Sequence, residues 1–142
     1  MFSAEESKKV REEFWTSFGK EYPRKWILYN TKIKEIQLKF TFNRRFAQVS
    51  IDIAAKDDLI REYYYEKFQS LQKVIETTYI KEVIFDKNYE LPEGKLISRI
   101  YVEMENVNIH NKKDWAEVKA FLAENMSKLE SIFIDFEDFI KA

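Results

Sequence analysis

Arg99, Tyr101, Glu103 and Glu105 alternate with Ile100, Val102 and Met104 in the stretch LISRIYVEMENVNIHN, Leu96–Asn111, which ends beside His110, the chain's one histidine. An arginine can clamp an anion, a glutamate can serve as base or ligand, and a tyrosine hydroxyl can donate or accept. Together with Lys39 and Asp52 on adjacent strands, Arg99, Tyr101 and Glu103 would line a polar sheet face. The competing reading is a half-buried strand whose outward side chains meet water. His110 lacks an orienting partner and is assigned to the loop and helix cap that follow.

Most other chemistry is excluded by residue type. With no cysteine, disulfides, thiolate metal sites and cysteine nucleophiles drop out. One histidine leaves carboxylates as metal ligands, a set that suits Mg²⁺ or Mn²⁺. Glu103 and Glu105, with Glu90 on a neighbouring strand, are read as solvated, so neither metal nor cofactor is expected. The element order is also that of restriction-endonuclease cores, whose chemistry needs an acid and a Glu-x-Lys on adjacent strands. Here Glu6/Lys8 and Glu117/Lys119 fall in helices, Glu93/Lys95 falls in a turn, and Asp52-Ile-Ala-Ala-Lys56 has the wrong spacing. There is no Gly-x-Ser-x-Gly elbow, and two glycines cannot build a phosphate-binding loop. No catalytic residue is assigned.

The basic segment points to binding instead. Lys20–Arg45 carries eight Lys/Arg against two Glu, interleaved with Tyr22, Trp26, Tyr29, Phe40 and Phe42. Cations neutralise phosphates and exposed rings stack on bases. Arg24, Lys25, Trp26, Lys32, Lys34, Arg44 and Arg45 form the candidate surface. The alternative assigns Phe40 and Phe42 to the core and Arg44 and Arg45 to an ordinary hairpin tip. Residues 114–142, with three Lys/Arg against seven Asp/Glu, could neutralise the patch within one chain or in a dimer.

Those residues need elements to position them. Ser3 and Glu6 form a capping box ahead of Val10, Phe14 and Phe18, with Gly19 and Pro23 as stop signals. Trp26–Tyr29 reads as a short strand. In EIQLKFTFN, Ile36, Leu38, Phe40 and Phe42 alternate with polar residues, and Ala47, Val49, Ile51 and Ile53 answer them beyond Asn43-Arg44-Arg45, giving an antiparallel hairpin. Asp57 and Asp58 open a helix with apolar positions Ile60, Tyr64, Phe68, Leu71 and Ile75. Val83–Phe85 and Leu96–Met104 are two further strands around the turn Leu91-Pro92-Glu93-Gly94. Asn111 and Asp114 cap a final helix that would run about 42 Å unbroken, with a break expected near Asn125–Ser127. The chain is read as one α+β domain over 1–142: helix, three strands, helix, two strands, long helix, an antiparallel sheet of about five strands with helices on one face.

Three blocks carry a family resemblance: FWTSFG (Phe14–Gly19), KWILYNTKIK (Lys25–Lys34) and SRIYVEMENVNIHNKKDW (Ser98–Trp115). They resemble an uncharacterised bacterial and archaeal domain of unknown function of similar length. In some members of that family the domain follows a predicted nuclease-like domain. The resemblance implies DNA-linked or defence-linked biology and carries over no catalytic residues.

Three functions remain open. The first is a non-catalytic binding or accessory domain contacting nucleic acid or a protein partner. The second is an enzyme with its site on the polar sheet face. The third is a homodimer through the C-terminal helix, where Ile132, Phe133, Ile134, Phe136, Phe139 and Ile140 crowd one stripe. The charged start, the absence of a bilayer-length apolar run and the missing cysteines lead to the expectation of a cytoplasmic protein without membrane contact.

Overall fold

The computed structural model describes residues 2–142. Helix α1 (Ala4–Glu21) begins with the expected capping box: Ser3 Oγ accepts from Glu6 N–H at 3.1 Å, and Glu6 Oε1 accepts from Ser3 N–H at 3.2 Å. Gly19 lies inside this helix and does not stop it. The end comes where the Tyr22 N–H bonds to the Phe18 carbonyl and Pro23 follows, because a proline has no N–H to continue the ladder.

Strands β1 (Ile36–Phe42) and β2 (Phe46–Ile53) form the expected hairpin, with Phe40 opposite Val49. Asn43 holds its turn by accepting the Arg45 and Phe46 N–H groups at 2.8 and 2.9 Å. Helix α2 (Asp58–Ser70) is capped by Asp57, which accepts from Leu59 N–H. Its buried face is Arg61, Tyr65 and Phe68. Ile60, expected inside, is partly exposed, so the helix is rotated by about one residue from the simplest apolar stripe. A short α3 (Gln72–Val74) and a π-turn (Ile75–Tyr79) lead to β3 (Ile84–Glu90) and β4 (Leu96–Glu105). After a 3₁₀ turn at Lys112–Asp114 come α4 (Trp115–Asp135) and α5 (Glu137–Lys141).

The sheet is antiparallel with order β1-β2-β4-β3. It has four strands, not five. Trp26–Tyr29 is a loop that contributes one bond to the edge of β1, Leu38 N–H to the Leu28 carbonyl at 2.9 Å. Leu28 and Lys32 adopt positive φ (48° and 67°), which interrupts the extended backbone that a strand requires. The final helix breaks at Phe136 and not near Asn125–Ser127. Both polar residues stay helical, with their side chains bonding back four residues, Asn125 to Phe121 O and Ser127 to Ala123 O.

One face of the sheet carries the apolar core. Leu38, Val49, Ile51, Ile100 and Val102 join Phe14, Phe68, Leu122, Leu129 and Phe133 from the helices in a single cluster. The helices therefore pack on one face, and each fully buried Leu, Ile or Phe contributes roughly 1.5–3 kcal/mol against exposure. This packing takes up much of the C-terminal stripe: Ile132, Phe133 and Ile140 are buried, whereas Ile134 and Phe139 face out. No helix among the described residues is long and apolar enough to cross a membrane.

Candidate functional site

The opposite sheet face is built from three cross-strand rows. Register aligns Gln37, Asp52, Arg99 and Asp86; then Lys39, Ser50, Tyr101 and Ile84; then Thr41, Gln48 and Glu103. Period-two alternation puts all of them opposite the core. Four of the five residues expected on this face act as one unit. Arg99 donates Nε–H and Nη2–H to the two carboxylate oxygens of Asp52, at 2.7 and 2.9 Å, and Nη1–H to Gln48 Oε1 at 2.9 Å. Gln48 passes the network on, donating to Glu103 Oε1 at 2.6 Å and to the Tyr89 hydroxyl at 3.3 Å. The Arg99 guanidinium lies 4.3 Å from the centre of the Tyr89 ring, and Tyr89 meets Tyr101 edge-on.

The middle of this face is buried, while Gln37 and Lys39 at its β1 edge are exposed. Gln48, Ser50, Asp52 and Arg99 are each no more than 2% exposed. In a flat sheet Tyr89, opposite Ile97, would lie far along β4 from Gln48, opposite Glu103. Their contact requires the end of the β3–β4 hairpin to curl over the polar face. A bulge between Asp86 and Tyr89 supplies the bend, since an extra residue in one strand locally increases twist. Ile97 is caught inside the curl at 2% exposure although its parity is polar.

Burial alone pulls Arg99 towards neutrality, but the hydrogen bonds and charge of Asp52, with Tyr89, outweigh it and hold the guanidinium above its ordinary pKa. Burial, then the charge of Glu103, raises the Tyr101 phenol. Asp52 has both oxygens engaged by Arg99. Two hydroxyls are left over: Thr41 Oγ1 and Ser50 Oγ are buried without a hydrogen-bond partner among the described residues, a cost of about 1–3 kcal/mol each. No group of three or more His, Cys, Asp or Glu side chains among the described residues could hold a metal ion.

The curl encloses a cavity of about 330 Å³ lined by Lys39, Thr41, Asn43, Arg45 and Phe46 on one side and by Arg99 and Tyr89 to Pro92 on the other. Lys39 also lines a second hollow of about 510 Å³ at the outer edge of β1, with Trp15, Leu28, Tyr29 and Gln37. Arg44, Arg45 and Asn43 form a third depression at the hairpin tip.

The chain matches the profile of a family described as Domain of unknown function (DUF4268) over residues 10–137. It belongs to that family. Neither a comparison with curated proteins nor one with solved structures returns a match. The DUF4268 match spans every strand and the whole polar face, so the network is part of the family domain.

The basic residues expected to form one surface in this DUF4268 domain divide. Arg24 is exposed but already engaged: it pairs with Glu130, donates to Ser127 Oγ at 3.2 Å, and covers the Trp26 ring at 3.9 Å. Trp26 packs against Phe18 and Phe40. Lys25, Lys32, Arg44 and Arg45 are exposed, and Lys34 makes only a 3.9 Å contact with Glu35. His110 stacks on Phe2 at 4.0 Å, away from the Arg99 network. Sequence reasoning missed Gln48, Thr41 and Tyr89. Strand parity placed Gln48 and Thr41 on this face, while the bulge that brings in Tyr89 has no local signature.

Proposed function

We propose that this domain is a non-catalytic binding module that holds single-stranded nucleic acid along β1. The observation that carries the reading is the adjoining of two hollows at Lys39, flanked by Arg45 on one side and the 81% exposed ring of Tyr29 on the other. Lys39, Arg44 and Arg45 make no ion pair among the described residues, so their charge is available to phosphates. A stacking ring beside a cationic track is the arrangement used for single strands, where bases are free to leave their neighbours. The path from Gln37 to Asn43 is about 20 Å long at about 3.4 Å per residue, enough for a few nucleotides. Asp52 and Arg99 neutralise each other and keep the floor beneath the track rigid.

The test is fluorescence anisotropy with a labelled DNA single strand. Binding that weakens steeply with salt, and falls about tenfold or more in Arg44→Ala/Arg45→Ala, is the expected result. Salt-independent binding, or none, sinks the reading.

A further inference from the structure

Resting on the strand-binding reading, we infer that the cavity between the curled β3–β4 hairpin and the β1–β2 turn is a subsite for the terminal phosphate of a bound strand. Lys39 and Arg45 border it as unpaired cations and Glu90 as the one acid of the lining, while Arg99, its charge matched by Asp52, adds N–H donors. Arg99 has five N–H groups, of which three are given to Asp52 and Gln48. The two that remain belong to a side chain only 2% exposed, held rigid by its partners at the cavity wall. Asn43 commits its carbonyl oxygen to the Arg45 and Phe46 N–H groups, which leaves its amide nitrogen as a free donor at the cavity. Thr41 lines the same space, and its Oγ1 has no partner among the described residues. A hydroxyl buried in this way reaches a ligand only by rotation of χ1 between staggered wells.

Chemistry selects the ligand class. These donors exceed what an internal phosphodiester, with two free oxygens, can use. A terminal phosphomonoester offers three acceptor oxygens and a charge of about −1.5 to −2 at neutral pH. Leu91 and Pro92 wall the cavity, so a strand that follows Lys39 inward meets the hairpin and ends there. The side chains of Tyr89 and Phe46 at the wall suit the sugar and base of that last nucleotide.

Anisotropy titrations of the full chain with one DNA sequence, carrying a 5′-phosphate, a 3′-phosphate or neither, test this. One phosphorylated end should bind about tenfold tighter than the unphosphorylated strand. That preference should vanish in Thr41→Val while the unphosphorylated strand still binds. Thr41→Val is isosteric and removes an unpaired hydroxyl, so its melting temperature should not fall, which separates loss of the site from loss of the fold. Equal affinity for all three strands overturns the subsite and leaves the strand-binding reading standing. A preference that survives Thr41→Val also overturns it. If no strand binds, the strand-binding reading fails, and NMR titration with adenosine 5′-monophosphate decides the subsite separately. Shifts at Thr41, Arg45 and Tyr89 that disappear in Thr41→Val uphold phosphomonoester recognition; their absence overturns it.

Discussion

Arg99 shows how a charge can be kept in a protein interior. Its cost of leaving water is offset by two hydrogen bonds to Asp52, a third to Gln48 and the Tyr89 ring beneath it. Removing one partner should therefore hurt more than removing both. Arg99→Ala leaves Asp52 buried and unpaired and should cost about 3–5 kcal/mol. The double replacement Asp52→Leu/Arg99→Met should cost clearly less, and urea unfolding of both variants measures the difference. If the double variant is the less stable, the ion pair contributes more than its desolvation removes. The tyrosines give a pH test. Burial raises Tyr65 and Tyr101, and the Tyr79 hydrogen bond to Asp135 raises Tyr79, all above the ordinary value of 10.0. A raised phenol means the folded state holds its proton more tightly. The resulting stability is present below pH about 10 and is lost as pH rises through the folded values. In a UV absorbance titration these three phenols should ionise above the ordinary value; a single transition at that value would contradict this.

At the scale of elements, the loop between α1 and β1 is tied to α4 through Glu130. Its carboxylate pairs with Arg24 and accepts the Ile27 N–H at 2.7 Å, while being almost fully buried. That loop carries Tyr29 and Lys32 and borders the hollow at the edge of β1. Glu130→Ala should lower stability by about 1–3 kcal/mol, because the Ile27 N–H loses its acceptor. It should also speed amide exchange in residues 24–34 ahead of the rest of the chain. Uniform exchange across the protein would mean that the loop is held elsewhere. The rotation of α2 belongs to this scale too. Arg61 turns inward because Lys87 O and Ser98 Oγ accept its Nη1, at 2.6 and 3.0 Å, so a polar residue takes a position that apolar spacing assigned to Ile60.

The whole molecule has a nearly neutral total, a net charge of −1, but its charges are segregated. Steering by patches does not depend on the total. If Lys39, Arg44 and Arg45 are the phosphate contacts, about three counterions are released. The logarithm of affinity for a single strand should then fall with the logarithm of salt at a slope near −2, since each contact contributes about −0.7. A slope near zero would assign the track to a different partner. The acidic C-terminal segment does not cancel this patch wholesale. Of its acids, Glu130 takes Arg24 and none reaches Lys39, Arg44 or Arg45 among the described residues.

Much of the fold was legible because its signals are local. Alternation along Ile36–Phe42 and Leu96–Glu105 fixed which side chains share a face, since the period of a strand is two whatever it packs on. The Ser3–Glu6 box and the Asp57 cap likewise act over three and two residues. The sequence alone thus separated a dry face from a polar one and grouped Lys39, Asp52, Arg99, Tyr101 and Glu103. Only the tertiary structure decided that the centre of the polar face is buried, that the hairpin end curls over it, and that Gln48 and Tyr89 complete it. Those contacts join residues about forty positions apart, and the bulge that permits them depends on what the bent strand can reach, which no local pattern encodes.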